Sequence, residues 1–130
     1  MAHKFLIVDD ESTIRELFVQ LLTKENHEVK AANSAEEAWS FFEKEDFNVV
    51  LLDIKLPGAS GFDLLQKIKA AKPNTIVIMI TGFGYEDSLI NKCKDLGCSG
   101  YIGKNMPVSQ IMNNIKLFIN AAKDKQIRGA

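Results

Sequence analysis

The fold is decided by the stretch VVLLDIKLPGASGFDLL, residues 49–65. It opens with an unbroken apolar run, VVLL, which is typical of a strand that is buried on both faces of a parallel sheet. Asp53 follows that run directly, and Pro57-Gly58 marks a turn. Leu64, Leu65 and Ile68 then begin a helical spacing. The stretch therefore predicts a buried strand, a turn and an amphipathic helix in succession.

The same order of strand and helix recurs along the whole chain. The apolar runs with strand character are FLIV (5–8), VKAA (29–32), VVLLDI (49–54), IVIMI (76–80) and YI (101–102). Apolar residues at helical spacing follow each run, for example Ile14, Leu17 and Phe18. Such alternation predicts an α/β fold in which helices cover both faces of a parallel sheet. We expect helices to end near Asn26 and Gly97, which favour left-handed backbone.

Composition limits the class of protein. The chain has 130 residues, 46% of them hydrophobic and 25% charged, which suits one globular domain of about 100–150 residues. A net charge of −1 does not favour a general nucleic-acid or membrane-surface binder. No apolar run approaches the roughly 20 residues of a membrane span, and the N-terminus lacks a secretory apolar region, so we expect a cytoplasmic protein. Residues 1–122 are predicted to form the domain, and 123–130 a polar tail or the start of a linker.

Acidic residues follow two of the predicted strands. Asp9 and Asp10 come directly after the first strand, and Asp53 comes after the third. Ligands of open α/β sheets bind at the carboxyl ends of the strands, where the strand order reverses. If the first and third strands are neighbours, three carboxylates converge there and repel one another unless a cation intervenes. Oxygen ligands favour Mg²⁺, with Mn²⁺ as an alternative ion.

Two further strand ends carry groups that suit a phosphoryl ligand. Thr81 follows the fourth strand and offers a hydroxyl, while Lys104 follows the fifth and offers an ammonium. Either residue alone would ordinarily be a helix cap or a surface lysine. Together with the acids, they form a set that can hold a metal ion and one phosphoryl group on a carboxylate. Cys93 and Cys98 are too few for a disulfide framework, and we expect them to pack a helix end.

Four motifs, FLIVDDE, VVLLDIKLPGASGFDLL, VIMITGFG and GYIGKN, resemble those of the receiver domains of two-component response regulators. The resemblance covers about residues 4–120 in order and spacing. It implies a CheY-like, flavodoxin-like (βα)5 fold, with a doubly wound five-stranded parallel sheet of order 2-1-3-4-5.

The resemblance also implies roles for individual residues. Asp53 would accept the phosphoryl group, Thr81 and Lys104 would contact it, and Tyr101 would change rotamer together with Thr81 on activation. The implied Mg²⁺ ligands are Asp9, Asp10, Asp53 and the backbone carbonyl of Lys55. One departure is plain: the family usually has a proline in a cis peptide after the site lysine, whereas Asn105 follows here. A cis bond before asparagine costs about 3–4 kcal/mol, and the sequence leaves its isomer open.

By this resemblance, the expected function is a phosphorylation-dependent signalling switch. A histidine kinase or phosphotransfer protein would phosphorylate Asp53, and the face formed by the fourth helix, fifth strand and fifth helix would change to control a partner. That partner would be a downstream protein or a fused output domain, without direct contact to nucleic acid or membrane. The protein would assist its own phosphorylation and dephosphorylation without being a turnover enzyme. Dephosphorylation would be slow, because Lys55 and Phe83 would flank the attacking water and neither offers a carboxylate or an amide.

Two alternatives remain at this point. One is a receiver-shaped binding module that takes no phosphate. The other is a Mg²⁺-dependent hydrolase that forms an aspartyl phosphate, although such enzymes commonly place a second acid two residues after the nucleophile. That position is Lys55 here.

Overall fold

Five parallel strands form the central sheet of the computed structural model, which describes residues 3–82 and 86–128. The strands are β1 (Lys4–Val8), β2 (Glu28–Ala32), β3 (Val49–Asp53), β4 (Lys55–Leu56), β5 (Ala59–Ser60), β6 (Ile76–Thr81) and β7 (Gly100–Gly103). The helices are α1 (Ser12–Lys24), α2 (Ala35–Lys44), α3 (Gly61–Ala71), α4 (Asp87–Asp95) and α5 (Val108–Arg128). The sheet order is β2-β1-β3-β6-β7, and β4 and β5 form a separate antiparallel pair. Counted within the sheet alone, this is the predicted order 2-1-3-4-5.

The apolar strands build two separate cores, one on each face of the sheet. Successive side chains of a strand point to opposite faces, so Leu6 and Val8 of β1 join one core while Phe5 and Ile7 join the other. The first core packs under α2, α3 and α4, and the second packs under α1 and α5. Burial on both faces explains why β3 and β6 are apolar without alternation.

Two helices end in the same hydrogen-bonded motif. Asn26 after α1 has φ 69° and Gly97 after α4 has φ 90°, both in the left-handed region. Beyond each, an amide reaches back across the last turn: His27 N–H donates to the Leu22 carbonyl at 3.1 Å, and Cys98 N–H donates to the Cys93 carbonyl at 2.9 Å. The left-handed residue also donates to the carbonyl three residues before it, Asn26 to Thr23 and Gly97 to Lys94. The two bonds together form the Schellman motif, which satisfies carbonyls that the helix leaves unpaired.

The short β4–β5 hairpin was not predicted beyond its turn. Lys55 pairs with Ser60 and Leu56 with Ala59, around Pro57-Gly58. Gly58 has φ 67°, a conformation that glycine adopts at little cost. The hairpin leads directly into α3, and it thereby connects the end of β3 to the start of that helix.

The last helix extends beyond the predicted domain boundary at residue 122. α5 continues through Arg128, so the described part of the polar 123–130 segment is helical. Within the described residues, no helix combines the length and the hydrophobicity that a membrane crossing requires.

Candidate functional site

Four acidic side chains meet at the carboxyl edge of the sheet. Val8 pairs with Leu52 in the β1–β3 register, so the residues that follow them, Asp9 and Asp53, lie side by side. One carboxylate oxygen from each acid lies within 4.8 Å of the others; the four residues are Asp9, Asp10, Glu11 and Asp53. Asp9 and Asp53 are only 2% and 6% exposed, whereas the other two acids are exposed. The predicted convergence of carboxylates is confirmed.

The ammonium of Lys104 lies within this acidic cluster. Its Nζ is 2.9 Å from Asp9 Oδ2, 3.0 Å from Asp53 Oδ2 and 2.7 Å from Glu11 Oε1. The backbone of Lys104 is held as well, because its N–H donates to the Thr81 carbonyl at 2.8 Å. The described residues contain no cis peptide bond, so the bond to Asn105 is trans. A trans peptide before asparagine thus still brings the lysine to the phosphoacceptor candidate.

Burial and charge shift the pKa values of this pair. Burial raises the pKa of Asp53, and the neighbouring charge of Asp9 acts in the same direction. The hydrogen bond from Lys104 opposes both effects without cancelling them. Burial alone would lower the pKa of Lys104, but its hydrogen bonds to Glu11, Asp9 and Asp53 outweigh burial and raise it. Lys104 is therefore a permanent cation at neutral pH, and the carboxylate of Asp53 depends on it for charge compensation.

Backbone N–H groups orient the two buried carboxylates. Asp9 Oδ1 accepts from the N–H of Glu11 at 2.9 Å, and Asp53 Oδ1 accepts from the N–H of Lys55 at 3.4 Å. An Arg15 guanidinium nitrogen donates to the Asp9 carbonyl at 2.8 Å and fixes the start of the loop. These contacts leave each acid with one oxygen turned towards Lys104 and the centre of the cluster.

The donor set fits a hard divalent cation. All four acids offer oxygen ligands, and one ammonium leaves the cluster with an excess of negative charge. A cavity of about 520 Å³ opens directly beside them and is lined by Asp10, Asp53 and Lys104 among others. The cavity leaves room for an ion that keeps several of its waters, which is how Mg²⁺ is usually bound in proteins.

The remaining predicted residues lie around the same edge. Thr81 is fully buried at the end of β6 and pairs with Gly103 of β7. Tyr101 is buried within β7 opposite Met79, two residues before the end of its strand. Lys55 is exposed and lines the cavity, while Phe83 lies outside the described residues.

Glu11 is the site residue that sequence reasoning missed. It forms the shortest of the three contacts to Lys104, although its side chain is 55% exposed. The sequence offers one sign of this role, because Glu11 is the third consecutive acid after β1. An acid at the residue before a helix, however, is commonly only a helix cap. Here Glu11 is the residue before α1 and its side chain makes no capping bond.

Comparison with known proteins identifies the family. Residues 5–116 match the response regulator receiver domain family. The chain is 33% identical over 119 residues to sporulation initiation phosphotransferase F of Bacillus subtilis, covering 92% of this chain and 95% of that protein. It is 41% identical over 91 residues to response regulator protein PilR of Pseudomonas aeruginosa, covering 70% of this chain but 20% of that protein.

The fold agrees with these relatives. A crystal structure of a CheY-like response regulator receiver domain protein from Methanospirillum hungatei superposes with a TM-score of 0.87 and 31% identity. That superposition covers 96% of this chain and 99% of the other. The four motifs, the sheet order and the match over residues 5–116 agree, and the chain belongs to the response regulator receiver domain family.

Proposed function

We propose that this protein is a phosphorylation switch in which Asp53 accepts a phosphoryl group from a phosphohistidine. The observation that carries the proposal is the contact of 3.0 Å between Lys104 Nζ and Asp53 Oδ2 inside a cluster of four acids. A carboxylate at the end of the central strand, beside an ammonium and an open cavity, is suited to in-line attack on phosphorus. The donor is a histidine kinase or a phosphotransfer protein.

The chemistry uses groups that are already in place. One oxygen of Asp53 attacks the phosphorus, and the bond from phosphorus to the donor imidazole nitrogen breaks as the new P–O bond forms. Lys104 then follows the negative charge from the carboxylate to a phosphoryl oxygen, and the Thr81 hydroxyl donates to another. Mg²⁺, held by Asp9, Asp10, Asp53 and the Lys55 carbonyl, would neutralise charge on the phosphoryl oxygens. Glu11 holds Lys104 in the site before transfer.

The elements that meet at the site indicate which surface of the protein would change on phosphorylation. Thr81 ends β6, Tyr101 lies in β7, and the chain from β7 runs through Lys104 into α5. A change at Lys104 and Thr81 therefore biases the face formed by α4, β7 and α5 towards one of two arrangements. This face would bind a downstream protein or a fused output domain. The aspartyl-phosphate hydrolase alternative is disfavoured, because Lys55 occupies the position where such enzymes commonly place a general acid.

Incubation with acetyl phosphate and Mg²⁺ tests the proposal against both alternatives. A switch takes up one phosphoryl group and keeps it long enough for intact-mass measurement. A hydrolase would release inorganic phosphate continuously, and a binding module would do neither. The second or third outcome contradicts the proposal.

We expect Asp10→Asn to weaken Mg²⁺ binding by at least about tenfold, because it removes one charge from the ligand set. The melting temperature of the metal-free protein should not fall, since Asp10 is exposed within a group of like charges. Thermal melts across a Mg²⁺ titration measure both effects. Asp63→Asn, at an exposed position in the first turn of α3, is the matched control and should retain the full Mg²⁺-induced rise in melting temperature. If Asp10→Asn behaves like this control, the metal binds elsewhere.

We expect Lys55→Asn to accelerate loss of the phosphoryl group by at least about tenfold, because its amide can orient the attacking water. Lys55 lines the cavity beside Asp53, and its own side chain has no acceptor for water. Lys55→Met removes the same charge without adding an amide and serves as the control. Decay of the phosphorylated protein, followed by intact mass, should be faster for the asparagine variant only. Equal rates in the two variants would refute the positioning argument.

A further inference from the structure

The two cysteines are brought together by the end of α4. In the Schellman motif there, the third-last helical residue is Cys93, and the residue after the left-handed Gly97 is Cys98. These are the two positions whose side chains normally make an apolar contact in this motif. The Cys98 N–H donates to the Cys93 carbonyl at 2.9 Å, and the Cys98 side chain packs against the core that contains Cys93. The contact that packs the helix end is thus a contact between two thiols.

The two thiols differ in environment. Cys93 is 1% exposed and belongs to the core under α4, whereas Cys98 is half-buried and lines a surface cavity of about 510 Å³. Three lysines line the same cavity, Lys69, Lys94 and Lys125. Lys69 is fixed there, because its Nζ donates to the Thr75 carbonyl at 2.6 Å and the Pro73 carbonyl at 3.1 Å.

The surroundings favour a thiolate at Cys98. The hydrogen bond from the Cys93 thiol lowers the pKa of Cys98, and the Gly100 N–H and the charges of Lys69 and Lys94 lower it further against the effect of burial. The same hydrogen bond, together with burial, raises the pKa of Cys93 and keeps its proton in place. An accessible thiolate beside a buried thiol is the arrangement in which one sulfur reacts first and the other resolves the product.

We propose that Cys98 is a peroxide-reactive thiol and that Cys93 is its resolving partner, so that oxidation closes a disulfide between the last turn of α4 and the segment entering β7. Cys98 sulfur attacks one oxygen of hydrogen peroxide, the O–O bond breaks, and hydroxide leaves as the sulfenic acid forms. Cys93 sulfur then attacks Cys98 sulfur, and the sulfenic oxygen departs with the Cys93 proton as water. Overall, two thiols are oxidised while one peroxide is reduced to water.

Peptide mapping tests this directly in the full chain. After treatment with hydrogen peroxide and alkylation of the remaining thiols, trypsin cleaves after Lys92, Lys94 and Lys104. An internal disulfide therefore links the dipeptide 93–94 to peptide 95–104, and reduction separates them. Recovery of both peptides alkylated, under conditions that fully oxidise free glutathione, would overturn the proposal. A disulfide between two chains, seen as a dimer on a non-reducing gel, would overturn it too.

Single substitutions distinguish the proposed reactive cysteine from the proposed resolving one. In Cys93→Ser, Cys98 should accumulate as a sulfenic acid that a cyclic dione traps. In Cys98→Ser, Cys93 should stay reduced over the same time; Cys98→Ala provides a second variant if the serine form does not fold. Rapid oxidation of Cys93 in either Cys98 variant would reverse the assignment and overturn it.

A matched pair of lysines tests the basic cavity. We expect Lys94→Gln to slow the oxidation of Cys98 about threefold, the effect of one partly screened charge. Lys92→Gln removes the same charge from α4 but outside the cavity, where Lys92 Nζ lies 4.7 Å from the Phe62 ring centroid. This control should react at the wild-type rate. Equal slowing in both variants would show that only net charge matters and would overturn the role of the cavity.

Discussion

Asp53→Asn should abolish incorporation of phosphate from acetyl phosphate while the protein remains folded. The substitution replaces one carboxylate oxygen with an amide nitrogen and so removes the proposed nucleophile, yet it keeps the size of the side chain. It also removes a buried charge that stands beside Asp9, which offsets the loss of an acceptor for Lys104. Intact-mass measurement should show no phosphorylated species, and far-UV circular dichroism should match the wild type.

The control for this prediction is another aspartate changed in the same way. Asp63→Asn alters an exposed acid in the first turn of α3, outside the acidic cluster, and should label normally. Peptide mapping of the labelled wild type should place a hydroxylamine-sensitive phosphate on Asp53. Normal labelling of Asp53→Asn would show that another group accepts the phosphoryl group.

Gly61→Ala should lower the free energy of unfolding by about 3 kcal/mol, the upper range for forcing one methyl group into a packed site. A Cβ at position 61 would collide with the Asp53 carbonyl oxygen and lie 2.9 Å from Ile54 Cα. The Gly61 N–H also donates to the Ile54 carbonyl at 2.6 Å, so neither backbone can move independently. Because the displaced backbone carries Asp53, labelling by acetyl phosphate should slow as well. Urea unfolding and the labelling rate measure the two effects.

Gly58→Ala separates crowding from backbone conformation. Gly58 has φ 67°, but a Cβ there would meet nothing within 4 Å. Its substitution should therefore cost only about 1 kcal/mol, the penalty of left-handed backbone, and should leave the labelling rate unchanged. A loss at Gly61 no larger than the loss at Gly58 would contradict the packing argument.

The parallel sheet was predictable because strands buried on both faces appear in the sequence as unbroken apolar runs, whereas the order of the strands was implied by the family resemblance. β3 and β6 are wholly buried and appear as unbroken apolar runs. β2 has a less apolar pattern for the opposite reason: it is an edge strand, and its side chains are partly exposed. The β4–β5 hairpin has two-residue strands, which are too short for any hydrophobic period to appear.

The end of α5 was not predicted from the sequence, because a polar segment can still have a high helix propensity. The segment from Lys123 to Arg128 is polar and was interpreted as a tail. Lysine, glutamine and arginine are nevertheless good helix formers, which favours the continuation of the helix through Arg128.

The sequence could predict those site residues whose positions are fixed by the ends of neighbouring strands. Asp9 and Asp53 follow neighbouring strands, and parallel pairing alone brings them together. The position of Lys104 was harder to predict, because it depends on the backbone of the loop after β7. Glu11 was missed because an exposed side chain gives no burial pattern; only its distance to Lys104 reveals its contribution.

The division of the core into two layers has a practical consequence for protein engineering. A strand residue and its neighbour in sequence face different helices, so equal changes in volume at adjacent positions act on different parts of the molecule. Variants at Phe18 or Leu22, on the buried side of α1, would change the core that α1 shares with α5, while Tyr101 and Cys93 pack in the other core. Matched mutations in the two layers would therefore measure separately how much each core contributes to the stability of the protein.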